Sequence, residues 1–294
     1  MFYFDNAKLL LIPPPRNTEL WVIYPPFAIH LHLIFVILRS FQQNSIPMNK
    51  ILRPFYLIYE FLIAGPIFIL ATLLTALVTA VGCTLGSQSF WGYWPAHIWS
   101  RFTCVIFLMR VKVTGRENID PKQSYVFVAN HQGAYDIWAI YGYLNHNFKW
   151  LMKKSLEKVP AVGWACRLAG EVFVDDSSVS GIRETIADAE KTLKDGMSVV
   201  IFPEGSRSWN GEMTDFKRGA FMLASEFRLP VVPITIDGSF KAMPRYTYCM
   251  TPTTIRLTIH PAILPGEKGF NTKKLMADCR EAIASALPQA AERH

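Results

Sequence analysis

From Phe61 to Ser100 the chain carries no aspartate, glutamate, lysine or arginine. A stretch of that length cannot be the surface of an ordinary soluble domain, in which about a quarter of residues are charged. Within it, residues 61–81 form a predominantly apolar run of about the 20 residues that a helix needs to enter a bilayer. Residues 91–109 hold Trp91, Tyr93, Trp94, Trp99, Phe102 and Phe107. Tryptophan and tyrosine at this density fit the lipid head-group interface. Lys50 and Arg53 precede the pair of stretches, and Arg101, Arg110 and Lys112 stand at its far end. Positive charge on both sides predicts a helical hairpin that enters the membrane and returns to the cytoplasmic face. A cleaved signal peptide fits less well, because its apolar region is only about 7–15 residues long.

Charge divides the rest of the chain. Residues 1–100 hold five of the 30 basic and three of the 23 acidic side chains. The remainder therefore reads as a water-facing domain attached to an apolar first third. Residues 1–47 are expected to be an N-terminal extension, 48–110 the anchoring hairpin and 111–294 the globular domain. The extension is interrupted by Pro13–Pro15 and by Pro25 and Pro26, and Met48-Asn49-Lys50-Ile51 looks like the usual start of an inner-membrane protein. A peripheral anchor is the alternative reading of residues 1–47.

The net charge of +7 suits anionic lipid head groups or an acidic soluble partner. Nucleic acid is not expected as a partner, since the lysines and arginines are dispersed and no basic run of five occurs. The five cysteines are odd in number, widely spaced and never C-x-x-C. They read as buried thiols in a reducing compartment, with neither a disulfide framework nor a zinc ribbon.

From Val111 onward the pattern alternates between strand and helix. Strands are expected at residues 125–129, 171–174, 198–202, 231–236 and 255–259, and helices at 136–144, 180–194, 219–226 and 273–287. Residues Ile182, Ile186, Ala189 and Leu193 share one face of the second helix, which Gly196 stops. This order predicts an α/β fold, a mixed, mostly parallel sheet covered by helices.

Two segments follow predicted strands directly. The first is Asn130-His131-Gln132-Gly133-Ala134-Tyr135-Asp136. Five residues turn about 500° in an ideal helix, so His131 and Asp136 would point apart there. They meet only if His131 lies in a turn before the helix, with Gly133 giving the backbone room. The carboxylate would then fix one imidazole tautomer, and the other ring nitrogen could take a proton from a hydroxyl. A surface turn with a helix-start aspartate is equally compatible with the spacing. No nearby histidine or cysteine completes a metal site.

The second segment is Phe202-Pro203-Glu204-Gly205-Ser206-Arg207. Gly205 and Ser206 allow close backbone approach, Arg207 can clamp an anion bidentately, and Glu204 could bind a polyol hydroxyl. A proline-glycine turn with charged decoration reads the same letters. Lys217 and Arg218 open the next helix, where N–H groups favour anions, or else form a solvated helix start.

Taken together, the two segments resemble the glycerophospholipid acyltransferases. The first is similar to their N-H-x-x-x-x-D signature and the second, continued to Ser208, to their F-P-E-G-T-R-S block. Lys153-Lys154-Ser155-Leu156 with Pro160 and Gly163, Gly170–Asp175, and Val232-Pro233-Ile234 resemble three further segments in the family's order. The resemblance covers residues 111–259. It implies a glycerol-phosphate acyltransferase fold on a two-helix membrane anchor at the cytoplasmic face of a bacterial inner membrane. It also implies acyl transfer from acyl-CoA or acyl-carrier protein to the free hydroxyl of a lysophospholipid such as 1-acyl-glycerol-3-phosphate, giving phosphatidic acid without metal or redox cofactor. His131 is then the base and Asp136 its orienting partner, with Lys154, Glu204, Gly205, Ser206, Arg207, Lys217 and Arg218 on the substrate. One position departs: Asp176 stands where the family's second block ends in a phosphate-holding arginine. Lys154, Arg207, Lys217 or Arg218 would then have to compensate. An aminolipid acceptor, or a lipid-binding protein without catalysis, is the competing expectation.

Overall fold

In the computed structural model the described residues are 52–175, 179–194, 197–264 and 271–288. Residues 1–47, Asp176 and Gly196 lie outside them. Seven strands form one sheet in the order β1-β7-β6-β2-β5-β3-β4. They are β1 (Arg110–Thr114), β2 (Val126–Ala129), β3 (Phe148–Lys153), β4 (Val172–Val174), β5 (Ser198–Ile201), β6 (Val231–Asp237) and β7 (Thr254–Ile259). Every neighbouring pair is parallel except β6 and β7. The sheet is therefore mixed and mostly parallel, as the alternating sequence predicts.

Helices α1 (Leu52–Leu85) and α2 (Trp94–Ile106), joined through a short helical turn at Gln88–Trp91, precede β1. Next come α3 (Tyr135–Tyr143), α4 (Val162–Leu168), α5 (Val179–Lys194), α6 (Gly219–Glu226) and α7 (Thr272–Ser285). Two cores result, one on each face of the sheet. Phe127 and Ala129 of β2 pack with Cys104 of α2 and Ala139 and Ile140 of α3. Val126 and Val128 turn to the other face, against Ala189, Ala220, Phe221 and Cys279 from α5, α6 and α7. This period-two division of a fully buried strand is what a central parallel strand covered on both faces requires. The side chains of Ile182 and Ile186 lie outside what is described. All five cysteines are free thiols; Cys104, Cys249 and Cys279 are buried as expected, whereas Cys83 and Cys166 are only half-buried.

Strands β1 and β3 were not expected from the sequence. β1 reads Arg-Val-Lys-Val-Thr at the sheet edge, where alternate residues face water. β3 is buried although it contains Lys149, whose side chain is only 4% exposed. Lysine at a buried strand position hides the apolar run by which such a strand is recognised.

The apolar first third differs in shape from two simple apolar stretches. α1 starts nine residues earlier than Phe61 and runs for 34 residues, through Glu60. Pro66 has no N–H to give the carbonyl four residues back, and the helix widens there. Gly65 N–H bonds the Glu60 carbonyl in a π-turn over Glu60–Ala64. α1 also lies along the globular part. The hydroxyls of Tyr56 and Tyr59 donate to the carbonyls of Phe107 and Ile106 (3.1 and 2.7 Å), and Glu60 Oε1 accepts from Met250 N (2.9 Å). Further on, Trp99 Nε1 donates to Thr72 Oγ1 at 3.0 Å. α2 buries His97, Ser100, Thr103 and Cys104. His97 Nδ1 meets the Tyr141 carbonyl at 2.9 Å, and Arg101 Nε donates to that of Gly142 at 2.6 Å. Residues 45–294 accordingly form one compact unit, with no division near residue 110.

Candidate active site

β2, β5 and β6 lie side by side and parallel, so their carboxyl ends open on one edge of the sheet. Ala129 pairs with Ile234 and Val128 with Ile201, which places the residues after β2 beside those after β5. Ligand crevices of parallel sheets form at such edges. The two segments identified in the sequence, 73 residues apart between His131 and Glu204, meet here.

Asn130 fixes the start of the first segment. Its amide pairs with the backbone of Ile236 in both directions, Nδ2 to the carbonyl and Oδ1 from the N–H, each at 2.8 Å. His131 then stands in a turn ahead of α3, as contact with Asp136 demands. His131 Nδ1 and Asp136 Oδ2 are 2.7 Å apart. Oδ2 also accepts the backbone N–H groups of Gln132 (2.7 Å) and Gly133 (2.9 Å), while Oδ1 is buried without a partner among the described residues. Asp136 is fully buried and the His131 side chain 13% exposed, so the histidine is the member that can meet a substrate. Carboxylate acceptance at Nδ1 leaves Nε2 as the basic nitrogen. A Cβ on Gly133 would collide with the Ser239 carbonyl oxygen, which explains why this turn carries glycine.

The second segment braces the first. Phe202 lies flat on the imidazole, with ring centroids 3.9 Å apart and planes 8° from parallel, and Trp150 stacks behind it at 5.3 Å. Glu204 is buried, and its Oε1 accepts from His131 N at 2.7 Å. Its Oε2 accepts from the N–H and hydroxyl of Thr214, each at 2.6 Å. The visible role of Glu204 is thus to tie the His131 turn to the loop ahead of α6. The Ser208 N–H donates to the His131 carbonyl at 2.9 Å. Gly205 has a left-handed φ of 73°, and the Lys217 side chain lies across it.

Arg207 is half-buried. Burial and the neighbouring Arg245 guanidinium draw it below the usual guanidinium range, and Asp136 opposes them. The structure therefore gathers His131, Asp136, Glu204, Gly205, Ser206, Arg207 and Lys217 around two adjoining strand ends. Arg218 is exposed just before α6. Lys154 stands after β3, ion-paired with Asp175 at 2.9 Å. It lines a separate cleft of about 590 Å³ with Lys149, Arg167 and Glu171. Among the described residues no three of histidine, cysteine, aspartate and glutamate cluster as metal ligands.

Sequence reasoning missed the stack of Phe202 on His131, the amide clamp of Asn130, and Arg245. The first two lie inside the recognised blocks and needed only the neighbouring strand to become visible. Arg245, between β6 and β7, carries no local signal at all.

Comparisons with known proteins agree with this geometry. The acyltransferase family model matches residues 110–237. A 1-acyl-sn-glycerol-3-phosphate acyltransferase of Chlamydomonas reinhardtii is 30% identical over 251 residues, which are 85% of this chain and 73% of that one. One of Saccharomyces cerevisiae is 32% identical over 58% of this chain and 57% of its own length. The crystal structure of the 1-acyl-sn-glycerophosphate acyltransferase of Thermotoga maritima matches with a TM-score of 0.67 at 26% identity, over 81% of this chain and 95% of that one. With a histidine–aspartate pair just past the end of the central strand β2, and a likeness that runs through most of the molecule, this chain belongs to the glycerophospholipid acyltransferase family.

Proposed function

We propose that this protein transfers an acyl chain from a thioester to the free hydroxyl of 1-acyl-glycerol-3-phosphate, forming phosphatidic acid. The observation that carries the reading is the His131–Asp136 pair, with Nδ1 engaged by a buried carboxylate. His131 Nε2 takes the proton of the acceptor hydroxyl as its oxygen attacks the thioester carbonyl. The C–O bond forms, the C–S bond breaks, and the imidazolium returns its proton to the departing thiolate. Asp136 stabilises the imidazolium between these steps. The acceptor itself is the nucleophile, so no acyl-enzyme is needed, and every step uses only side chains and the thioester. Acyl-CoA and acyl-carrier protein are both acidic donors suited to a chain of net charge +7.

The anchor is read as monotopic. α2 has 13 residues and spans about 20 Å, too short for a hydrocarbon core of about 30 Å. α1 is long enough to cross, yet it is hydrogen-bonded to the globular part through Glu60 and Met250 near its start, and to α2 at Thr72. Its free face exposes Leu62, Leu70, Leu74 and Leu85, and α2 exposes Ile98 and Val105. These faces rest in one leaflet, on the cytoplasmic side of a bacterial inner membrane, and both ends of the pair stay on that side.

The test is lipid mass spectrometry of purified protein with mixed lysolipids and one labelled thioester. Phosphatidic acid as the main product supports the reading. Turnover of a phosphate-free lysolipid alone would move the protein to the aminolipid acyltransferases, and absence of thioester consumption would make it a lipid-binding protein. Cysteine labelling at Lys50 and Lys112 from opposite sides of the membrane would refute the monotopic anchor.

A further inference from the structure

Arg245 lies on the connection between β6 and β7, outside every block by which the family is recognised. Four contacts fix this connection, two of them to the turn that carries His131 and Asp136. Ser239, at its start, touches Gly133 so closely that no side chain fits there. Thr251 N donates to the Ala242 carbonyl at 2.9 Å and closes the loop that holds Arg245. Near its end, Met250 Sδ accepts from the hydroxyl of Tyr135, beside Asp136, at 3.0 Å, and Met250 N donates to Glu60 at 2.9 Å. The position of Arg245 is thereby set relative to His131.

The guanidinium is also oriented. Arg245 Nη1 donates to the Arg207 carbonyl at 2.9 Å, and its Cζ stands 4.3 Å above the ring of Trp209. Trp209 is 54% exposed, so its burial is not what places it there. Among the described residues neither Arg207 nor Arg245 forms an ion pair with a carboxylate. Like charges repel, and burial first and the Arg245 guanidinium second draw Arg207 below the usual guanidinium range. An anion between the two removes that repulsion, and a phosphate monoester offers two edges for two forked donors.

We propose that Arg245, held on Trp209, is the second cation of the acceptor's phosphate site and works with Arg207. This rests on the acceptor named above. It also accounts for a chain in which Asp176 occupies the family's arginine position. Arg245 binds the acceptor, and Trp209 is a positioning residue.

The experiment is steady-state kinetics of full-length protein, with 1-acyl-glycerol-3-phosphate and the thioester varied separately, on Arg245→Ala, Arg245→Gln and Trp209→Leu. Binding of the radiolabelled acceptor to the same variants in a His131→Ala background gives a readout independent of turnover. Loss of a hydrogen bond to a charged group corresponds to about ten- to hundredfold. Arg245→Ala and Arg245→Gln should raise the acceptor KM and weaken acceptor binding by that factor, with the donor KM unchanged. Glutamine can keep an N–H on the Arg207 carbonyl, so equal loss in both variants assigns the effect to charge. Trp209→Leu should give a smaller rise in the same constant. If wild-type protein uses the phosphate-bearing acceptor but Arg245→Gln binds it normally, the inference fails and the proposed function stands. If wild-type protein ignores that acceptor, the proposed function itself fails.

Discussion

Replacing Asp136 by asparagine keeps the size of the side chain and removes its charge. Three N–H groups converge on Oδ2, from the His131 ring, Gln132 and Gly133, at 2.7, 2.7 and 2.9 Å. A hydrogen bond to a charged acceptor is worth about 1.5–3 kcal/mol and one to a neutral acceptor about 0.5–1.5. The change thus weakens each of the three bonds by roughly 1 kcal/mol. If the amide oxygen takes the place of Oδ2, the NH2 group falls where Oδ1 now lies, buried without a partner among the described residues. An orphaned donor costs about 1–3 kcal/mol more. The opposite rotamer aims two N–H groups at three donors and is worse. Asp136→Asn should therefore lower stability by about 4–6 kcal/mol. It should also lower kcat by about 10² to 10⁴, because the imidazolium loses its counter-charge. The acceptor and donor KM values should stay within a fewfold, since Asp136 is sealed from both. Denaturant unfolding and steady-state kinetics on the same preparation measure the two effects. A folded variant with turnover close to wild type would refute the base assignment of His131, and a loss confined to KM would place Asp136 in binding instead.

Glu204→Gln puts an NH2 group against either the His131 N–H or the Thr214 N–H. It should cost about 2–4 kcal/mol in stability and reduce turnover, and normal thermal unfolding would reject Glu204 as the tie between the two loops. Gly133→Ala drives a methyl group into the Ser239 carbonyl oxygen. A loss of about 1–3 kcal/mol is expected, with lowered kcat, and an unchanged melting temperature would contradict the packing described. Burial pushes the Glu171 carboxyl up to about 7 against the attraction of Lys149. The folded state then holds a proton between about pH 4.5 and 7 that the unfolded chain has released. Glu171 accordingly loses stability for the protein as pH rises through that window, by up to about 3 kcal/mol. Unfolding of wild type and Glu171→Gln at pH 5 and 8 should show the gap moving in favour of the variant at pH 8, and a gap independent of pH would exclude the effect.

What the sequence made legible follows from how local each signal is. The strand Val126–Ala129, the helix Gly219–Glu226 and the histidine–aspartate turn all announce themselves within ten residues. The turn could even be placed ahead of its helix, because helix geometry forbids the contact otherwise. β3 stayed hidden because Lys149 breaks its apolar run. The division at residue 110 was drawn where charge returns to the sequence. The structure instead continues its core across that point, since α2 buries the polar side chains of His97, Ser100 and Thr103 against α3. Glu204 was read as a substrate ligand from its place in a conspicuous block. Its partners, His131 N–H and Thr214, become visible only once β2 and β5 are known to adjoin.

Acceptor choice is encoded less locally than the acid–base chemistry. His131 and Asp136 come from one short turn, so the chemistry travels as a motif. The charges around them come from separate strand ends: Arg207 follows β5, Arg245 follows β6, and Lys154 and Asp175 follow β3 and β4. Lys154 and Asp175 neutralise each other, whereas Arg207 and Arg245 add. Uncompensated positive charge is thus gathered after β5 and β6, the two strands that flank β2, and away from the β4 end, where the family's arginine would stand. A carboxylate at position 176 is tolerable on that account, because the phosphate need not approach it. If Arg245 takes the phosphate as proposed, one arginine can leave a recognisable block and be replaced by another from an unremarkable loop, provided both reach the same strand edge. Head-group selectivity in such a sheet is a property of the edge as a whole, while the acid–base step belongs to a single turn.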